Sequence, residues 1–147
     1  TCIRPANVTG PDKKFGSIDH VNCMCQPARG NPVSFPHKDT MRCVIHVRDM
    51  AEVFARVAMT EAPQHETYNS GGITVSLGEL AALVQEFLPD AEINFENETG
   101  GREKSGSFLI DNSRLIEEFG VQYAPLRDRV KEVINDIRRG EGLPEVD

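Results

Sequence analysis

The side chains that could carry out chemistry are few, and some familiar sets are missing. One arrangement that serves hydride transfer pairs a tyrosine of lowered pKa, as the general acid or base, with a nearby lysine that lowers it. The two tyrosines, Tyr68 and Tyr123, are followed four residues later by Gly72 and Arg127, so no Tyr-x3-Lys occurs. No G-x-G-x-x-G or G-x-x-G-x-x-G is present to let a backbone approach a dinucleotide pyrophosphate at a helix N-terminus. No Ser/His/Asp or Cys/His motif takes their place. His20 and Cys23 have the spacing of half a metal site, but no second pair does. Cys23 and Cys25 lie two apart and would point to different faces of a helix. With Cys2 and Cys43 they fit no zinc ribbon or finger, and free buried thiols are the simpler reading. No residue of this chain is assigned a catalytic or metal-binding role.

Charge offers a further hint. The formal net charge is -7, which argues against nucleic acid and anionic membrane as main partners. Residues 1–48 nevertheless hold seven Lys/Arg and only three Asp, a net +4, leaving -11 for the rest. Such a basic third could face a small anionic ligand such as a diphosphate, or be a solvated surface. Gly100-Gly101-Arg102-Glu103-Lys104 could add a cation to such a ligand; a solvated loop is the plainer alternative. No stretch approaches the roughly 20 apolar residues that span a bilayer. Free thiols and the lack of a basic-then-apolar leader point to a reducing cytoplasm.

The elements that must position these residues alternate between strand and helix. Thr1–Arg4 reads as a strand without a lead-in, which implies a piece of something longer. Asn7–Lys14 reads as a loop, Phe15–Arg29 as a helix closed by Gly30, and Pro32–Phe35 and Cys43–Val47 as short strands. Asp49, with Glu52 three residues on, is expected to cap the next helix. Thr67–Ser70 is a strand ended by Gly71-Gly72. Ser76 and Glu79 form a capping box for a helix through Leu88. Ala91–Phe95 alternates as a strand, Asn97–Ser107 is a polar, mobile loop, and Phe108–Ile110 is extended. Helices follow at Ser113–Phe119 and Leu126–Arg139, closed by Gly120 and Gly140. The order is that of an α/β chain.

Three segments carry a pattern. They are Arg4-Pro5-Ala6-Asn7-Val8-Thr9-Gly10-Pro11, then Arg42-Cys43-Val44-Ile45-His46-Val47-Arg48-Asp49-Met50-Ala51, then Tyr68-Asn69-Ser70-Gly71-Gly72 followed by Ser76-Leu77-Gly78-Glu79-Leu80. In order and spacing they resemble the C-terminal half of the NAD-dependent epimerases and dehydratases, the extended short-chain dehydrogenases that act on nucleotide sugars. The resemblance implies the last strands and helices of a doubly wound, Rossmann-like sheet in residues 1–75 and a small substrate-binding lobe in 76–147. The N-terminal cofactor-binding part, with the general base, would lie outside this chain.

It also implies roles. Asn7 falls where the family hydrogen-bonds the substrate's diphosphate or sugar, and an amide can donate to phosphate and accept from hydroxyl; a turn residue before Gly10-Pro11 is the alternative. Arg42 falls where the family sets an arginine against the diphosphate, which suits a guanidinium fork; a surface salt bridge is the alternative. Pro5 and Ala6 fall where the chain passes the nicotinamide of NAD or NADP. His46 and Asp49 look structural, as a buried hydrogen-bonding residue and a helix cap. The implied partner is a small anionic substrate, a nucleotide sugar, and the full-length protein would be a homodimer. Two departures, Thr9 in place of an aromatic residue and the short Pro36–Met41 loop, leave a smaller polar substrate open. The alternatives are a reductase acting on a non-nucleotide carbonyl compound, and a stand-alone ligand-binding or interaction module without catalysis.

Overall fold

The computed structural model describes all residues, Thr1–Asp147, as a mixed α/β chain of seven strands and five helices. Strand β1 (Cys2–Arg4) runs almost directly into β2 (Asn7–Thr9), yet the two belong to different sheets. Pro5 makes the break, because it has no N–H to give to a ladder. The next amide, Ala6, donates instead to the Ser70 hydroxyl at 2.9 Å. As a result β1 pairs in parallel with β5 (Thr67–Asn69), and β2 pairs in parallel with β4 (Met41–His46). Strand β6 (Ile73–Ser76) joins β4 in antiparallel register. Strands β3 (Val33–His37) and β7 (Ile93–Asn97) form a separate parallel pair.

Five helices complete the chain: α1 (Asp19–Ala28), α2 (Val47–Ala58), α3 (Leu77–Phe87), α4 (Ser113–Phe119) and α5 (Leu126–Gly140). They bury two separate apolar clusters. The larger holds 17 buried residues: α1 supplies Val21, Cys23 and Met24, α3 supplies Leu80 and Val84, and α5 supplies Val130, Val133 and Ile134. The smaller holds eight, among them Val53 of α2, Tyr68 of β5 and Leu115 and Phe119 of α4. Strand β4 serves both. Side chains alternate across a strand, so Val44 faces the larger cluster and Ile45 the smaller.

Several elements differ from the sequence expectation, each for a physical reason. Helix α1 starts at Asp19 rather than Phe15, because Gly16 takes a left-handed φ of 79° that a helix cannot include. Asn7–Thr9 is a strand and not part of a loop, since its ladder partner β4 is contributed from far along the chain. Phe108–Ile110 joins no ladder; the Phe108 carbonyl accepts the Thr74 hydroxyl at 2.8 Å. Asp49 is not the cap of α2. His46 is, and its Nδ1 accepts the Arg48 amide at 3.3 Å. The capping box at Ser76 and Glu79 forms as expected, and Gly120 closes α4 in the left-handed region.

Candidate functional site

Register places the candidate residues. In the parallel β2–β4 pair, Asn7 lies opposite Val44 and Thr9 opposite His46. Arg42 lies two residues before Val44 on the same strand, so Asn7, Thr9, Arg42 and His46 belong to one face of the sheet. That face looks toward α1 and the larger cluster. The sheet therefore brings Asn7 and Arg42 together, although 34 residues separate them in sequence.

Neither side chain is idle. The Asn7 amide nitrogen donates to the Cys43 carbonyl at 3.2 Å, and its oxygen makes no hydrogen bond within the chain. Arg42 is held by the start of α1. Its Nε donates to Asp19 Oδ1 at 3.1 Å and to the Ser17 hydroxyl at 3.2 Å, and its Nη2 donates to Asp19 Oδ2 at 2.6 Å. Its Nη1 donates to the Met41 carbonyl at 2.8 Å. The Asp19–Arg42 contact is a two-pronged charge pair, the geometry a guanidinium makes with any planar oxyanion.

Asp19 is the residue the sequence reading passed over. Burial alone would raise its carboxyl pKa. Hydrogen bonds from His20 and Arg42, together with the Arg42 charge, outweigh burial and hold it well below the usual carboxylate range. His20 is fully buried behind it, with Nδ1 3.3 Å from Asp19 Oδ1. Lys13 reaches the Ser17 carbonyl at 3.1 Å, and burial lowers its amine pKa against the opposing pull of Asp19. The signal was present in sequence: Ser17-Ile18-Asp19 before the apolar run Val21, Cys23 and Met24 has the composition of a helix start.

Pro5 and Ala6 sit at the junction of the two sheets. Ala6 is packed against the smaller cluster, and its amide is taken by Ser70. The Ser70 side chain is buried and in turn donates to the Gly71 carbonyl at 2.9 Å. This segment can serve as a wall for a flat ring. It is not a phosphate cradle, because its amide is already satisfied. The neighbouring Gly72 has a plain reason to be glycine: a Cβ there would lie 2.3 Å from the Val44 carbonyl oxygen.

The remaining candidates are structural or peripheral. His46 is buried, and burial is the chief influence lowering its imidazole pKa, with Glu132 and Asp49 acting against it. Asp49 receives Arg129 from α5 through Nη2–Oδ1 at 2.5 Å and Nε–Oδ2 at 3.1 Å. Arg129 also pairs with Glu132 at 2.6 Å, and Glu132 pairs with Arg48. This network ties the start of α2 to α5, and so ties one cluster to the other. Arg102 is exposed and stands 5.8 Å from the Phe108 ring centroid. Its loop is pinned by the Asp39 carboxylate, which accepts the Gly100 and Gly101 amides at 3.2 and 2.7 Å.

No protein-family model matches the sequence, and no curated protein does. Solved structures do share the fold. A UDP-glucose 4-epimerase from Thermotoga maritima, with UDP-glucose, superposes with a TM-score of 0.75 over 95% of this chain at 21% identity, which covers 46% of that protein. A UDP-glucuronic acid 4-epimerase from Bacillus cereus, in complex with UDP-glucuronic acid and NAD, gives 0.75 over 93% at 16% identity and covers 44% of that protein. An L-threonine dehydrogenase from Phytophthora infestans gives 0.81 over 94% at 14% identity, with 48% of that protein covered. The chain thus has the Rossmann-like fold of these enzymes and spans about half their length.

Proposed function

We propose that this chain forms the substrate side of an NAD(P)-dependent enzyme of the epimerase/dehydratase type, with the nucleotide cofactor held mainly by a part of the fold outside these residues. The observation that supports this most is the shared face of β2 and β4, which sets Asn7 beside Arg42. In this reading Asn7 and Arg42 grip a polar anionic substrate, and Pro5-Ala6 forms the wall against which a nicotinamide would rest. Bound NAD(P) would supply hydride acceptance; the residues here bind and orient. Residues 1–75 would complete the cofactor domain, and 76–147 would supply most of the substrate lobe. No helix is long and apolar enough to cross a membrane. The free thiols fit a reducing compartment, so we place the enzyme in the cytoplasm.

Two substrate classes follow from the site, and Asp19 separates them. A nucleotide sugar is the substrate of the epimerases that share the fold. Its diphosphate would have to displace an ionised Asp19 from Arg42. A small substrate with both an amine and a carboxylate must open the same fork, but its amine can pair with Asp19 while its carboxylate takes Arg42, so neither charge is left without a partner. The Asp19–Arg42 pair favours this second reading, and L-threonine dehydrogenases of the same fold accept a substrate of that kind.

Titrating the chain with UDP-glucose and, separately, with L-threonine would test both, read from amide chemical shifts. The nucleotide-sugar reading expects shifts at Asn7, Ser17 and Arg42 with UDP-glucose. The zwitterion reading expects them with L-threonine. Arg42→Ala should weaken the effective ligand by about 2 kcal/mol, the scale of a lost charge-assisted contact. Shifts confined to other surfaces, or an affinity that ignores Arg42, would remove this face from substrate binding.

A further inference from the structure

Two buried side-chain polar atoms have no protein partner, Thr9 Oγ1 and His46 Nε2. They are not scattered. Thr9 and His46 are register partners on β2 and β4, so their side chains leave the sheet side by side on one face. Both residues are about 4% exposed or less, out of reach of bulk solvent. Both also line one small cavity of about 10 Å³, together with Asp49, Tyr123 and Arg129.

Buried polar groups are almost always satisfied, and two orphans at one spot call for a shared partner. The cavity limits what that partner can be. Its volume is on the order of a single water sphere, and a buried water needs at least two polar neighbours. The hydrogen-bond roles also agree. His46 Nδ1 accepts the Arg48 amide, so that nitrogen is unprotonated and the ring proton sits on Nε2. Nε2–H is then a donor without an acceptor, and the Thr9 hydroxyl can both accept and donate.

We propose that Thr9 and His46 together bind one structural water molecule, enclosed between β2, β4 and the first turn of α5. The water accepts from His46 Nε2–H and donates to Thr9 Oγ1. It thereby links the strand that carries Asn7 to the residue that caps α2, and it holds Thr9 two positions from Asn7. The proposal stands apart from the choice of substrate, since it concerns two buried atoms further along the same sheet face and needs no ligand.

A crystal structure of the chain at a resolution that shows ordered solvent is the direct test. The expected result is a density peak within about 3.2 Å of both Thr9 Oγ1 and His46 Nε2. An empty cavity, or a direct Thr9–His46 hydrogen bond, would overturn the proposal. A long-range ¹H–¹⁵N spectrum should show His46 as the Nε2–H tautomer; an Nδ1–H tautomer would count decisively against it. Thr9→Val keeps the shape and removes the hydroxyl, and should lower Tm by about 5 °C. Thr9→Ser should retain both the water and most of the Tm. A Thr9→Val chain that melts with the wild type would sink the idea.

Discussion

The two apolar clusters are built on different plans. The larger packs α1, α3 and α5 against one another and roofs them over β3, β7 and the Val44–Val75 side of the central strands. Its partners surround it, and six of its residues, Cys23, Ala28, Val84, Val130, Val133 and Ile134, are fully buried. The smaller cluster rests α2 and α4 on thin strands, and β1 hydrogen-bonds on one side only, to β5. An edge strand three residues long contributes few ladder bonds and presents open N–H and C=O groups. Cohesion is therefore unequal: the helical cluster carries most of the burial, and the strand cluster depends on its neighbour through β4 and the Asp49–Arg129 pair. The candidate residues Asn7 and Arg42 lie on β4 and the strand beside it, at the boundary of the two.

This inequality can be tested by uneven damage. Ile134→Ala, at a fully buried position of the larger cluster, should cost about 3–4 kcal/mol and lower the global melting transition. Leu115→Ala, equally buried in the smaller cluster, should raise hydrogen exchange chiefly in β1, β5 and α4 while amides of α1 and α3 stay protected. Equal exchange in both clusters would show a single cooperative unit. Arg129→Ala is the next largest. Removing one partner of a mostly buried ion pair leaves Asp49 uncompensated, and a loss of about 2–3 kcal/mol is expected. A double-mutant cycle with Asp49→Asn would assign that loss to the link between clusters, and a coupling near zero would show that apolar contact alone joins them. The smallest effect is one of pH. The folded Asp19 pKa is depressed below its unfolded value, so its stabilisation is fully present above about pH 4 and is lost as pH falls further. Asp19→Asn should therefore be less stable than the wild type near neutrality, with the difference shrinking in acid; a constant difference would mean that the Arg42 pair does not hold the carboxylate ionised.

Local signals were legible in the sequence where they had local causes. Ser76 with Glu79, and Gly120 after Phe119, mark helix ends through contacts within a few residues, and both ends form as read. The α/β order and the three motif segments pointed to a Rossmann-like chain, which the fold shares. What stayed hidden depended on partners far along the chain. Asn7–Thr9 looks like turn sequence and becomes a strand only because β4 lies beside it. Asp49 looks like a cap, but the chain turns into helix at His46, and the Asp49 carboxylate is engaged by Arg129, 80 residues later. Arg42 stood out as an anion-binding residue. Nothing near it in sequence announced that Asp19 already fills that fork.

The pairing of α1 with α5 has a consequence for synthesis. Arg138 reaches the Ala28 carbonyl, and Arg29 reaches Glu141, across 110 and 112 residues of chain. Contacts of such span are slow to form, because a long loop must close before they return any stabilisation. A growing polypeptide would carry the apolar side of α1, with Val21, Cys23 and Met24, for several seconds before the last helix leaves the ribosome, at roughly 5–20 residues per second. That interval, rather than the finished molecule, is when this chain is most open to aggregation and to capture by chaperones.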